Sequence, residues 1–534
     1  MSELIDDTSS NAKLRRAIWA MGAVCAAAFV AAAALSWLLA PVAAAEERPY
    51  GQHVFFARIA DWLPWLQGNP ADRTVFWRRG IQLSLRGRGL FESHELFVLT
   101  YAAPLIVASL GALGLLAIAW RHRAALRVSH VDRVWRWSVL FAVLCLPAVP
   151  VLVPDFWLSV AWGRILAAGI NPYYDVPAAA TSWLPIDSPI MHMTYGPLWA
   201  YMSGAVMKLT GGHAIWGALA FKVVLAGMWV AFLALVRTLV RDRTPFEQLL
   251  ALVMVGWIPI GVVQTVGEGH NDVAMVGCAL LWLHLRRSGR PLAATLALTI
   301  SVLFKYASAP LFIVDALYRE PDEARNVGRF VRAYVPRAIL AGLVTVVAFA
   351  PLFRGLDFFA SVSDVHGGRF FLPSDAVLAI GALAHIQLRP LAYAVLGIFP
   401  LITALALYRY LRDGGSARLP ETAAAVMLSM LLVGSSHAWP WYVLWYLAFA
   451  AIVPTSAHGR WAMGLALALP YPLLVWTVWP HASDLKKFFL PSLLAYGLAL
   501  GWFLLVRWRR PAAEQPIPPR GVRLPDANPG SAPP

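Results

Sequence analysis

Asp155 stands in Pro154-Asp155-Phe156-Trp157, at the end of an otherwise uncharged apolar stretch. A carboxylate so placed can accept the proton of a hydroxyl as that oxygen attacks carbon. Further along come Gly267-Glu268-Gly269-His270-Asn271-Asp272, then Lys305 alone in an apolar run, then Asp364, His366 and Arg369. His270, Lys305 and Arg369, with Asn271 and Asp272 beside them, can hold a phosphodiester and offset the charge that grows on a leaving phosphate. Trp157, Tyr173, Tyr195, Trp439, Trp441 and Tyr442 offer faces that suit the apolar faces of sugar rings. Asn171 and His437 complete the candidate sugar and acceptor contacts. Together these residue types suit glycosyl transfer from a lipid-linked sugar phosphate, with Asp155 as general base.

Each residue also has a plainer reading. Asp155 can cap the helix that follows it, and Asn271 or Asp272 can do the same for theirs. Lys305 can extend to the membrane interface without any ligand. Asn171-Pro172-Tyr173 is first a turn signal, and the aromatic residues near His437 can be an ordinary interfacial belt. Asp364, His366 and Lys486 read as solvated loop residues. Glu268, His270, Asn271 and Asp272 can be imagined around a divalent cation, but the spacing does not require one, and no cofactor is expected.

These residues must be held by a membrane protein. The 534 residues are 59% hydrophobic and only 14% charged, which no soluble core could cover with polar surface. Runs such as 18–45, 96–120 and 488–506 approach or exceed the roughly 20 apolar residues that cross ~30 Å of hydrocarbon. The formal charge of +15 does not indicate nucleic acid, because the basic residues cluster at the ends of apolar runs. Cys25, Cys145 and Cys278 are embedded in apolar sequence and read as small buried hydrophobes. GxxxxGK[ST], HExxH and GxSxG are absent.

Orientation follows from Lys and Arg in short loops, which stay cytoplasmic. The marks are Lys13 to Arg16, Arg121 to Arg127, Arg237 to Arg243, Arg286 to Arg290, Arg319 to Arg337, Arg409 to Arg418, Arg460, and Arg507 to Arg510. If all share one side, the spans between them come in pairs. Segments 198–209 and 376–386 are then outer-side or re-entrant, and 291–317 becomes a hairpin of two short helices with Lys305 at its outer turn. The expectation is an all-α polytopic transmembrane bundle of about 14 spans with outer-side interfacial helices. Residues 1–16 form a cytoplasmic N-terminus, and 17–134 hold two additional spans around an external amphipathic loop, 46–95. Residues 135–506 form the main domain with its external loop 154–197, and 507–534 form a disordered cytoplasmic tail.

The order of Asp155, Gly-Ile-Asn-Pro-Tyr at 169–173, Tyr-Gly-Pro-Leu at 195–198, Gly-His-Asn-Asp at 269–272, the hairpin Lys305 and Trp-Pro-Trp-Tyr-Val-Leu-Trp at 439–445 resembles the GT-C superfamily. More narrowly it resembles the bacterial polyprenyl-phosphate-mannose-dependent alpha-mannosyltransferases, over residues 135–506. The resemblance implies an inverting transferase of the bacterial inner membrane, its site facing the periplasm or cell exterior. Its donor would be a polyprenyl-phosphate hexose, most simply mannose, and its acceptor a glycolipid or glycan. It also implies that the Gly-His-Asn-Asp stretch and Lys305 line the donor pocket. The chain departs from the family's Trp-Asp-Gly, reading Ala161-Trp162-Gly163-Arg164 and so lacking a second acidic residue. The rival reading is a transporter or flippase of lipid-linked sugars, though such proteins place polar groups near the midplane of broken helices.

Overall fold

The computed structural model describes residues 2–45, 93–150, 155–177, 192–318, 327–355, 371–413, 418–435, 438–470 and 489–506. Among them every regular element is helical. Those that matter here are α1 (Ser2–Ala45), α2 (Ser93–Arg121), α3 (Val128–Cys145), α4 (Asp155–Ala167), α5 (Pro197–Leu209), α6 (Ala214–Leu239) and α7 (Pro245–Gly256). They are followed by α8 (Pro259–Val262), α9 (Asp272–Arg287), α10 (Pro291–Phe304), α11 (Leu311–Leu317) and α12 (Val327–Phe349). The last are α13 (Pro373–Ala384), α14 (Arg389–Arg412), α15 (Leu419–Ser429), α16 (Val443–Ala450), α17 (Ala457–Ala468) and α18 (Leu490–Leu505).

Among the described residues five helices are long and apolar enough to cross a bilayer: Ser9–Ser36, Tyr101–Arg121, Ile215–Leu239, Val331–Phe349 and Arg389–Arg412. A sixth candidate is α7 continued through Gly267, which bends by 47° where Pro259 interrupts the helix. Shorter apolar helices, among them α10, α13 and α18, complete the bundle. Against an expectation of about fourteen spans, residues 46–92, 356–370 and 471–488 lie outside the described residues, as does the tail 507–534. The expected N-terminal segment 1–16 is helical from Ser2 and runs unbroken into the first span.

Small residues set the closest crossings, as they do between membrane helices. A side chain at Gly22 would enter the ring of Trp137, and one at Gly111 would meet the Cys25 sulfur 2.7 Å away. Cys25 in turn donates to the Ala108 carbonyl at 3.4 Å, so it acts as a packing residue. The α1–α2 pair thereby docks on α3, with Phe29 against Phe141 at 4.9 Å. Helix α5 is 13 residues, about 20 Å, too short to cross hydrocarbon alone. It lies against α4 so closely that a side chain at Gly163 would strike the Ser203 carbonyl.

The expected hairpin at 291–317 is present. Helix α10 ends at Phe304, Lys305 is extended, a short turn over Tyr306–Ser308 follows, and α11 returns. Thr295 donates to Asp315 Oδ2 at 3.2 Å, which proves that the two arms run back along each other. Asp315 is buried and also accepts from Trp282 Nε1 at 2.8 Å. Its Oδ1 meets Arg286 Nε at 3.0 Å, and Arg337 lies 3.9 Å away. One carboxylate thus joins α9, α10, α11 and α12. Asp315→Ala leaves two guanidiniums buried without it, a loss of about 3–5 kcal/mol. The expected outcome is a clearly lowered thermal unfolding midpoint in detergent, whereas a midpoint equal to wild type refutes the latch.

Candidate active site

Asp155 opens α4 and leaves 25% of its side chain accessible. Its Oδ2 accepts from the Tyr195 hydroxyl at 3.1 Å and lies 3.6 Å from His270 Nδ1. Tyr195 is positioned by backbone constraints on both sides. Tyr173 donates its hydroxyl to the Tyr195 carbonyl at 2.6 Å, and the Gly196 amide donates to the Phe304 carbonyl at 3.2 Å. A side chain at Gly196 would strike the Leu303 carbonyl, so glycine is what lets the Tyr195 loop reach the end of α10. Asn171 holds the turn before it, accepting from the Tyr173 amide at 3.1 Å and donating to the Leu352 carbonyl at 2.7 Å.

The second wall comes from a break in the bundle. After α8 the chain widens into a π-turn over Val263–Gly267, a device that often marks functional sites. Gly269 then takes φ +80°, and its Cα faces the Phe156 ring so closely that a side chain would collide with it. This turn delivers His270 beside Asp155 and Asp272 to the start of α9. Asn271 precedes that helix without a side-chain capping bond, so capping does not explain it. Asp272 Oδ1 accepts from Lys305 Nζ at 2.7 Å and also from Trp445 Nε1. The ammonium is further enclosed by the rings of Tyr442 at 4.5 Å, Tyr195 at 5.2 Å and Trp445 at 5.2 Å.

Aromatic stacking extends the wall. His270 lies on Trp441 with centroids 3.9 Å apart and planes 12° apart, and Trp441 lies on Trp439 at 5.3 Å and 4°. A second π-turn, Met430–Gly434, precedes this segment. Several polar atoms here are buried with no hydrogen-bond partner among the described residues: Gln264 Oε1, His270 Nε2, Asn271 Nδ2, Asp272 Oδ2 and Trp441 Nε1. Each such atom costs about 1–3 kcal/mol when left unpaired, which a hydroxylated or anionic ligand would offset. No three His, Cys, Asp or Glu side chains converge as metal ligands among the described residues.

Burial raises the Asp155 pKa, but the His270 ring, the Lys305 ammonium and the Tyr195 hydroxyl outweigh it and hold the carboxyl below its ordinary value. The group is therefore ionised at neutral pH, as a proton acceptor must be.

The structure thus brings Asp155, Tyr195, His270, Asn271, Asp272, Lys305, Trp439, Trp441 and Tyr442 into one region. Tyr173 and Asn171 stand behind it as supports. Trp157 is buried elsewhere in the core, where it donates to the Pro150 carbonyl at 3.3 Å. Arg369 and His437 lie outside the described residues. Gln264 and the buried Lys222 escaped the sequence reading, and Trp445 entered it only as the end of the 439–445 motif. A lone lysine in the apolar run 214–236 was the available signal for Lys222.

Residues 86–318 match the family model described as Alpha-(1->6)-mannopyranosyltransferase, N-terminal domain. That span carries Asp155, the Gly-His-Asn-Asp turn and Lys305. The chain is thus similar to alpha-(1->6)-mannopyranosyltransferases over part of its length. It is 25% identical over 448 residues to Alpha-(1->6)-mannopyranosyltransferase A of Mycobacterium tuberculosis, covering 78% of this chain and 84% of that one. It is also 24% identical over 173 residues to the enzyme of the same name from Corynebacterium glutamicum, covering 30% and 34% of the two chains. These mannosyltransferase relatives support a membrane glycosyltransferase that moves mannose, in line with the apolar helices.

The glycine at the turn gives a direct test of the geometry. Gly269→Ala forces a side chain both into a left-handed backbone and into the Phe156 ring, at a cost of about 1–3 kcal/mol. The relief is movement of His270 away from Asp155. Mannosyl transfer is expected to fall at least about tenfold, and wild-type activity in that variant refutes the packing.

Proposed function

We propose that this protein is an inverting mannosyltransferase of the bacterial inner membrane that uses a polyprenyl-phosphate mannose donor. The acceptor is a hydroxyl of a glycolipid or glycan on the periplasmic face, and the new bond is α-(1→6), by likeness to the relatives' names. The observation that carries the reading is the convergence of a quarter-open carboxylate, Asp155, with His270 and the caged Lys305 in a region that holds several buried, unpartnered polar atoms.

The arrangement suggests the following course. An acceptor hydroxyl lies against Asp155 Oδ, which takes its proton as the oxygen attacks the anomeric carbon. The bond from that carbon to the phosphate oxygen breaks, and its electrons leave on the phosphate. Lys305 spends one N–H on Asp272 and keeps two for that developing charge, with His270, Asn271 and Arg369 as further donors. An α product formed with inversion requires a β-linked donor. The stacked faces of Trp441 and Trp439 offer a platform for a sugar ring.

Orientation rests on charge. Arg286 and Arg287 close α9 at the end opposite Asp272, and Arg287 reaches the Leu239 carbonyl at the basic end of α6. If this arginine-rich end is cytoplasmic, Asp155 faces outward. A donor already carried on lipid suits a compartment without nucleotide sugars.

The test is transfer by purified protein of radiolabelled mannose from polyprenyl phosphate to candidate α-mannoside acceptors. Asp155→Asn is expected to lose about 10²–10⁴-fold in rate. Equal transfer by both proteins removes Asp155 from the mechanism, while translocation of the lipid without transfer by wild type favours a flippase. The pH profile gives a further check. Because the folded carboxyl titrates below its ordinary value of about 3.9, ionised Asp155 persists through mild acid and is lost only as pH falls through that depressed value. An acid limb centred above pH 5 in wild type contradicts this assignment.

A further inference from the structure

Just before His270 in the chain lies a buried polar cluster that the transfer reaction does not use. Glu268 is 1% exposed and its Oε1 accepts from the Tyr101 hydroxyl at 2.9 Å. Lys222, 5% exposed on α6, donates to the Gly267 carbonyl at 2.7 Å and to the Ala148 carbonyl at the end of α3. The two residues before Gly269 are therefore held: Gly267 by Lys222 from α6, and Glu268 by Tyr101 from α2. The chain beyond them can place His270 only where its amide meets the Gln264 carbonyl at 3.1 Å.

The source of Tyr101 is informative. Helix α2 belongs to the N-terminal pair, for which the motif order offered no role, yet it reaches within one residue of the turn glycine. Two ionisable side chains buried in a membrane bundle, Lys222 and Glu268, cost several kcal/mol each in lost hydration, so stability alone does not account for placing them here. The turn's own backbone ties run from the Glu268 amide to the Val263 carbonyl at 2.7 Å and from the His270 amide to the Gln264 carbonyl at 3.1 Å. The bonds from Lys222 and Tyr101 add anchors from two other helices.

We propose that Tyr101, Glu268 and Lys222 are positioning residues for His270, and that the N-terminal helix pair acts in the reaction by anchoring this turn through the Tyr101 hydroxyl. The inference rests on the proposed mannosyl transfer for its kinetic test but not for its structural one. His270 stacks on Trp441 and lies 3.6 Å from Asp155, so a slack turn lets the imidazole drift from the carboxylate. Asp155 then keeps Lys305 and Tyr195 nearby, with Asp272 and Tyr442 behind them, but loses part of what holds its pKa down.

Tyr101→Phe removes one oxygen atom and leaves the ring. In the full-length protein its kcat is expected to fall about tenfold, the scale of a lost hydrogen bond to a charged acceptor. KM for the polyprenyl-phosphate mannose donor stays within about twofold, and the acid limb of the pH profile moves upward. Glu268→Gln, which keeps an acceptor for Tyr101, retains more activity than Glu268→Ala. Hydrogen exchange reads the turn without any substrate: amides 264–271 of Tyr101→Phe exchange faster, while those of α10 do not. Wild-type exchange in that segment overturns the inference whether or not the protein transfers mannose. So does a wild-type kcat and acid limb, or a loss of activity matched by a general fall in thermal stability. Absence of transfer by wild type, with the exchange change present, refutes the mannosyltransferase reading and leaves the anchoring intact.

Discussion

A charge inside hydrocarbon must meet a partner or leave, and that requirement sets the register of this bundle. Lys305 meets Asp272, and Asp315 meets Arg286 and Arg337. Every one of these pairs joins different helices or a helix and a turn. Buried pairs rarely stabilise a protein more than well-packed apolar residues would, because lost hydration offsets their attraction. What they do impose is position: sliding a helix by one turn, 5.4 Å, would break the pair and strand both ions. The Asp315 cluster fixes the far end of the α10–α11 hairpin, and Asp272 fixes its turn, so Lys305 is held at both ends of the element that carries it.

Close approach of backbone does the rest. Gly163, Gly196 and Gly269 each stand where a side chain would enter a neighbouring chain or ring. The consequences differ by place. Gly163 brings α4 against α5, Gly196 brings the Tyr195 loop against the end of α10, and Gly269 seats the His270 turn on Phe156, the residue next to the proposed base. The two π-turns add a residue's worth of slack before each site segment, which lets the chain leave helical geometry without unpairing a long stretch of amides.

Much of this was legible in the sequence. Charge bias alone predicted that 291–317 folds back at Lys305, since a single span would have carried the arginines at 319–337 to the other side. Residue chemistry gathered Asp155, His270, Asp272, Lys305 and Trp441 before any coordinates did. Other features were not legible for definite reasons. Asn171 reads like a sugar contact, yet both ends of its amide are committed to backbone, because a turn at 171–173 needs exactly such a side chain. Trp157 follows the base by two residues and so projects from another face of the same helix, into the core. Glu268 sits beside His270 in sequence but pairs with Tyr101, far away in the chain, and long-range partners of this kind carry no local pattern.

The missing second acidic residue also has a physical reading. Where the resembled family reads Trp-Asp-Gly, this chain reads Trp162-Gly163-Arg164, and position 163 faces the Ser203 backbone with no room for a side chain. A carboxylate there would require α4 and α5 to separate. Trp162 meanwhile packs edge-on to Tyr195 at 5.7 Å, so separation would also loosen the hydroxyl that bonds Asp155. Tight contact between these helices and an acid at position 163 are therefore mutually exclusive. The chain has the contact, and with it a helix in which Asp155 is the only carboxylate, while Asp272 is engaged by Lys305.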